Sequence, residues 1–290
     1  MDAHEVTKGK TADERMTAGR AVAKGETQPY DKYFYYSMSV QSPNEDMDFI
    51  DDAYRELHGA KAVPKTVRED FCGTFANSCA WVRRGDDRIA HGVDLDPEPI
   101  AYGREHYMSQ LTPAQQKRIQ LHEADVLSPG LPHVDAICAL NFSYFIFKER
   151  QVLKRYFANA LATLNDGGIL VLDCFGGTAC QEANEEETEF EAEQFSYFWD
   201  QMNFDPVNNY ALFHIHFQRV GEEKRMEQFT YDWRMWSVPE LRDLLTEVGF
   251  KEVRTYWEGT DEDGEGNGEF VRATKGEECE SWVSYIVAVK

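Results

Sequence analysis

Val67 to Thr74, reading Val-Arg-Glu-Asp-Phe-Cys-Gly-Thr, constrains the fold more than any other stretch of this chain. It predicts a strand that enters a tight turn at Gly73, where a missing Cβ permits close backbone approach, and leaves as a helix over Phe75 to Arg83. The same alternation then repeats. Short apolar strands are expected at Ile89 to Leu95, Ile119 to His122, Val134 to Leu140 and Ile169 to Cys174. Helices are expected from Asp96-Pro97, from the capping box Thr112-Pro113-Ala114-Gln115, and over Lys148 to Leu164, which Asn165-Asp166-Gly167-Gly168 terminates. Repeated strand–helix–strand units call for a parallel sheet covered by helices on both faces.

The flanks read differently. Residues 1–28 are polar, small and charged without periodicity, and are expected to be a disordered tail with no apolar run of the kind a signal peptide needs. Tyr30 to Tyr36 is an aromatic run, suited either to packing on the core or to forming a flap over a ligand. Ser42-Pro43-Asn44-Glu45 starts a helix that ends near Gly59. After Gly177, Cys180 to Asp205 is acidic and aromatic and is expected to begin as helix. Tyr210 to Arg219 and Lys224 to Trp236 alternate as two strands, and Phe213, Ile215 and Phe217 face away from His214 and His216. A helix over Pro239 to Val248 and closing strands at Val253 to Trp257 and Trp282 to Val289 complete the chain, with an acidic, Gly-rich loop between those strands. The expected organisation is a tail (1–28) and one domain (29–290). That domain divides into a cap and helix (29–64), a ligand-binding core (65–177), an insertion (178–236) and closing elements (237–290).

Charge narrows the function. Thirty Lys and Arg stand against 52 Asp and Glu, a net charge of −22, and such a field repels phosphate backbones, so no nucleic-acid partner is expected. No apolar stretch suits a membrane span. Six cysteines without a CxxC pair fit a reduced, cytoplasmic protein, and no cluster has metal-ligand spacing.

Ligands of open parallel sheets bind beyond the carboxyl ends of the strands. There the sequence puts Glu69 to Thr74, Asp94, Asp125 and Asn141; Asp94 suits the two hydroxyls of a ribose, and Asp125 an adenine amino group. These segments resemble the class I S-adenosylmethionine-dependent methyltransferases, of the branch acting on small molecules. Glu69-Asp70-Phe71-Cys72-Gly73-Thr74-Phe75 occupies that family's first, glycine-rich motif, with Phe71 and Phe75 standing where glycines are usual. Gly92-Val93-Asp94-Leu95-Asp96, Glu123-Ala124-Asp125-Val126, Asn141-Phe142-Ser143-Tyr144, Asn165 to Val171 and Pro239 to Phe250 match later segments in order.

The resemblance implies a Rossmann-like α/β fold: a seven-stranded, mostly parallel sheet with an antiparallel last strand and a small antiparallel β insertion after the fifth. It implies S-adenosylmethionine as cofactor, held by Tyr36, Arg68, Glu69, Phe71, Cys72, Gly73, Thr74, Asp94, Leu95, Asp125, Val126, Asn141 and Ser143. Arg68 either bridges a neighbouring carboxylate or binds the cofactor's carboxylate, with Glu69 on its amino group. Tyr144, His214 and His216 are the candidates for catalysis; the two histidines read first as a solvated or packed pair. The acceptor is expected to be a small molecule, with an amine favoured by the acidity of the chain. A non-catalytic module binding the same cofactor and an aminopropyl transferase are the alternatives. A dinucleotide oxidoreductase would need a GxGxxG turn, which Phe71 and Phe75 interrupt.

Overall fold

The computed structural model describes residues 29–261 and 266–290; the predicted tail, 1–28, and residues 262–265 of the acidic loop lie outside the described residues. Helix α1, Lys32–Val40, absorbs the aromatic run, capped by Asp31, whose carboxylate accepts from the amides of Tyr33 and Phe34. Helix α2, Pro43–His58, follows with proline in its first turn and buries Met47, Ile50 and Ala53.

The core then alternates: β1 Thr66–Asp70, α3 Ala76–Arg83, β2 Ile89–Asp94, α4 Pro97–His106, α5 Pro113–Gln116, β3 Ile119–Glu123, β4 Val134–Ala139, α6 Arg150–Thr163 and β5 Leu164–Gly176. The Thr112 capping box forms as expected. The expected helix terminator at 165–168 instead begins β5.

After a single 3-10 turn at Ala179–Gln181 the insertion is β: β6 Asn184–Phe190, β7 Phe195–Asp205, β8 Tyr210–Arg219 and β9 Arg225–Arg234 pair antiparallel in that order. The helix expected from Cys180 is thus reduced to that one turn. Four glutamates in β6 have fair helix propensity, but the strand hydrogen-bonds to β7 from Asn184↔Gln201 to Phe190↔Phe195, and non-local pairing overrides the local preference. Helix α7, Val238–Val248, opens on a capping box between Ser237 and Glu240 and ends at left-handed Gly249. Strands β10 Glu252–Thr260, β11 Gly266–Ala273 and β12 Trp282–Val289 close the main sheet.

That sheet runs β11-β10-β12-β5-β4-β1-β2-β3. Strands β3, β2, β1, β4 and β5 are parallel; β12 pairs antiparallel to both β5 and β10. The sheet has one strand more than the expected seven, because part of the expected acidic loop forms β11 on its edge. Strand order reverses between β1 and β4, the position at which an open sheet leaves a crevice. Among the described residues no helix is long and apolar enough to cross a membrane.

Candidate cofactor and acceptor site

Two chambers meet above the carboxyl ends of the parallel strands. The smaller, of 340 Å³, is lined by Glu69 to Thr74 after β1, Asn77 on α3, Asp94 after β2, Leu140, Asn141 and Ser143 after β4, and Lys32, Tyr33 and Tyr36 from α1. The larger, of 1070 Å³, lies between the main sheet, α2 and the insertion. Tyr36, Leu140, Asn141 and Tyr231 line both, and so form the junction.

The turn after β1 is built by close approach. A Cβ at Gly103 of α4 would sit 2.1 Å from the Thr74 carbonyl oxygen, so this helix can cross the turn only at a glycine. Gly73 takes φ +49°, and Phe71 and Phe75 take φ 57° and 48°, the left-handed region that disfavours side chains. The backbone thus keeps a glycine-like path at the two positions where the family's glycines are missing. Packing holds it there: Phe75 is fully buried, and Phe71 packs on Phe147 and Tyr156.

Asp94 Oδ2 accepts the Gly73 amide at 2.7 Å, and its Oδ1 accepts the Asp96 amide at 2.9 Å. Each oxygen keeps a second lone pair for a ligand. Thr74 Oγ1 and Asn77 Oδ1 are buried without a partner, although both residues line the small chamber. Buried polar atoms of this kind are ordinarily satisfied, and a polar ligand with hydroxyl and amino groups would satisfy them. Glu69 is 6% exposed; its Oε2 accepts from the Ser78 amide and hydroxyl. Burial pushes its carboxyl up to about 8, although the Ser78 contacts pull it down.

Arg68 does not reach the chamber. Its guanidinium forms a buried fork onto both Asp70 oxygens, at 2.7 and 3.1 Å, and also donates to Thr163 and to the Pro132 carbonyl. Of the two roles expected for Arg68, the bridge to a carboxylate is the one its geometry serves. Leu95, Asp125 and Val126 also stand outside the lining residues. Leu95 is 65% exposed, Val126 is in the core, and Asp125 turns Oδ1 onto the Leu127 amide.

The catalytic candidates are elsewhere too. Tyr144 is fully buried and donates to the Asp173 carbonyl, while burial raises its hydroxyl well above the ordinary range. On β8, Ile215 faces the large chamber, which turns His214 and His216 to the opposite face by strand alternation. His214 Nδ1 pairs with Thr230 Oγ1 at 2.9 Å. His216 Nδ1 accepts the Glu227 amide at 2.7 Å, so its proton sits on Nε2, 3.1 Å from Asp200. Glu185, Asp200 and His216 bring ligand atoms within 4.8 Å of one another, but that tautomer leaves no Nε2 lone pair for a metal ion.

The large chamber contains Asp173, which the sequence reading missed. Its insertion wall is aromatic, with Tyr197, Trp199, Tyr231 and Trp233 on the same sheet face as Ile215. Among the described residues that line it, eight are Asp or Glu and one, Arg272, is a cation. Asp173 sits on its floor near the end of β5. The available signal was a lone carboxylate inside the apolar run Ile169 to Cys174. Glu258, Gly268 and Phe270 bring the β10–β11 hairpin over the same chamber.

No sequence-family profile matches the chain, and no curated relative does. Solved structures do. A "S-adenosylmethionine-dependent methyltransferase from Clostridium acetobutylicum ATCC 824" matches with TM-score 0.62 and 16% identity, over 88% of this chain and 95% of that one. CalS10, an amino pentose methyltransferase from Micromonospora echinaspora, matches with TM-score 0.62 and 15% identity, over 91% and 99%. The sugar N-methyltransferase KedS8 from Streptoalloteichus sp matches with TM-score 0.59 and 17% identity, over 94% and 97%. The chain has the fold of the S-adenosylmethionine-dependent methyltransferases.

Proposed function

We propose that the protein is an S-adenosylmethionine-dependent methyltransferase acting on a small-molecule amine. The observation that carries this reading is the junction: a small polar chamber at the strand ends opens through Tyr36, Leu140, Asn141 and Tyr231 into a large acidic, aromatic one. Methyl transfer needs that arrangement, because the acceptor must approach the methyl carbon in line and opposite the sulfur. Similar proteins include a sugar N-methyltransferase and an amino pentose methyltransferase, which favours nitrogen as the acceptor atom.

The small chamber fits the cofactor by its donor set. Asp94 takes the ribose hydroxyls, its carboxylate held in place by the amides of Gly73 and Asp96. Glu69, a buried acid with no ion-pair partner among the described residues, meets the cofactor's ammonium, and Asn77 and Thr74 offer their unpaired oxygens to its polar groups. When bound, the sulfonium supplies an activated methyl group. Tyr36 and Tyr231 are hydrogen-bonded to each other at the junction; burial pushes the Tyr36 hydroxyl up to about 12, so both stay neutral and exclude water from the line of transfer.

Calorimetric titration with S-adenosylhomocysteine, with NAD and decarboxylated S-adenosylmethionine as controls, tests the cofactor. Selective binding of S-adenosylhomocysteine is expected, followed by transfer of labelled methyl from S-adenosylmethionine to members of an amine panel. Absence of S-adenosylhomocysteine binding to the folded protein overturns the reading.

A further inference from the structure

We infer that Asp173 is the carboxylate that binds the acceptor's ammonium group, so that the acceptor presents a protonatable amine, rather than an alcohol or an acid, at the junction. The inference rests on the methyltransferase reading above and assigns the acceptor side of the same site.

Asp173 is 7% exposed, yet it lines the large chamber beside two of the junction residues. Its oxygens accept the backbone amides of Asn141 at 2.6 Å and Phe142 at 2.9 Å. Those two residues have φ 55° and 56°, consecutive left-handed positions that aim both N–H groups at one carboxylate. Asn141 is itself a junction residue, so this clasp ties Asp173 to the point where the chambers meet.

Nothing nearby neutralises the acid. Among the described residues it has no ion-pair partner. The titratable groups that face it are Asp46 from α2, Tyr36 from α1, Tyr285 from β12, Tyr144 after β4 and the thiols of Cys138 and Cys174, and none carries positive charge. Three other acids of the chamber differ: Asp48 pairs with Arg84, Asp52 with Arg55, Glu56 with Arg254 and Arg272. Buried carboxylates are found paired or ligated. Burial pushes Asp173 up to about 8 against the opposing pull of the Phe142 and Asn141 amides, a poise that an arriving ammonium would convert to the ionised form. Tyr36, Tyr231, Phe142 and Trp233 line the same chamber and give the cation aromatic neighbours.

The test uses the full chain saturated with S-adenosylhomocysteine and tetramethylammonium as the probe, with 2,2-dimethyl-1-propanol as a neutral probe of similar shape. The wild type is expected to bind tetramethylammonium and not the alcohol. Asp173→Asn, kept saturated with S-adenosylhomocysteine, is expected to bind tetramethylammonium at least about tenfold more weakly. Equal tetramethylammonium affinity in the variant, or equal affinity of the wild type for the alcohol, overturns the inference. Because Asp173→Asn loosens the clasp on Asn141 and Phe142 and can unfold the protein, nuclear Overhauser contacts are also measured in the wild type. Contacts from the tetramethylammonium methyls to the Asn141 and Phe142 amide protons are expected, and their absence overturns the inference. If S-adenosylhomocysteine itself does not bind, the methyltransferase reading falls first. If it binds while tetramethylammonium does not, only the Asp173 assignment falls.

Discussion

Arg68 Nε lies 2.7 Å from Asp70 Oδ1, and both side chains are completely buried beneath the turn that borders the small chamber. Tyr156 donates to the second Asp70 oxygen, so the pair is closed on itself. Removing one member of a buried pair leaves the other charge uncompensated, which typically costs about 3–5 kcal/mol. Arg68→Met is therefore expected to lower stability in urea by roughly that amount, while S-adenosylhomocysteine affinity under folding conditions stays unchanged. A selective loss of affinity without loss of stability would restore Arg68 as a ligand for the cofactor's carboxylate.

Phe75 poses a conflict between backbone and packing. Its left-handed φ of 48° strains a phenylalanine by about 1–2 kcal/mol relative to glycine. Emptying its fully buried site costs about 3–5 kcal/mol. Packing wins, so Phe75→Gly is expected to destabilise the protein by roughly 1–4 kcal/mol although it restores the residue usual in the family motif. Equilibrium denaturation measures this; a more stable variant would mean that strain is the larger effect.

Asp94 holds the turn and offers its remaining lone pairs to the ribose. Asp94→Ala is expected to weaken S-adenosylhomocysteine binding by about 1–3 kcal/mol, as loss of a charged hydrogen-bond partner does. Calorimetry on variant protein with a native circular dichroism spectrum checks this, and unchanged affinity would remove Asp94 from the site.

The buried acid at Glu69 makes stability fall with pH. Its folded pKa of about 8 lies above the ordinary 4.5, so the folded state holds the proton more tightly. Below about pH 4.5 both states are protonated and there is no penalty. As pH rises toward about 8 the unfolded chain ionises first and stability drops. The melting temperature of the ligand-free protein is thus expected to fall more steeply over this window in the wild type than in Glu69→Gln. A cofactor ammonium paired with Glu69 favours the ionised form, so S-adenosylhomocysteine binding near pH 7 releases protons, and calorimetry in buffers of different ionisation enthalpy counts them. Equal release in Glu69→Gln would show that another group supplies the proton.

Much of the fold was legible because it rests on local chemistry. The glycine turn after β1, the Thr112 capping box, the apolar runs of β2 to β5 and the period-2 pattern of β8 are features of neighbouring residues. Nine of the thirteen residues assigned to the cofactor from sequence were legible for a related reason. Tyr36, Glu69, Phe71 to Thr74, Asp94, Asn141 and Ser143 line the small chamber, because strand ends of a parallel sheet converge there. Arg68 is only their neighbour, through its fork onto Asp70.

The sequence by itself determined the order of elements from β1 to β5, the turn at Gly73 and the place of Asp94 at the end of β2, since hydrophobic period, glycine and capping residues act within a few residues of one another. Only the tertiary structure decided that the glutamate-rich stretch 184–190 is a strand, that His214 and His216 turn away from the site, and that Asp173 faces the junction. Those outcomes depend on partners far along the chain: β7 for β6, the aromatic face of the insertion for β8, and the amides of Asn141 and Phe142 for a carboxylate about thirty residues later. Strand pairing and burial are set by which distant surfaces exclude water together, and no local pattern encodes that choice.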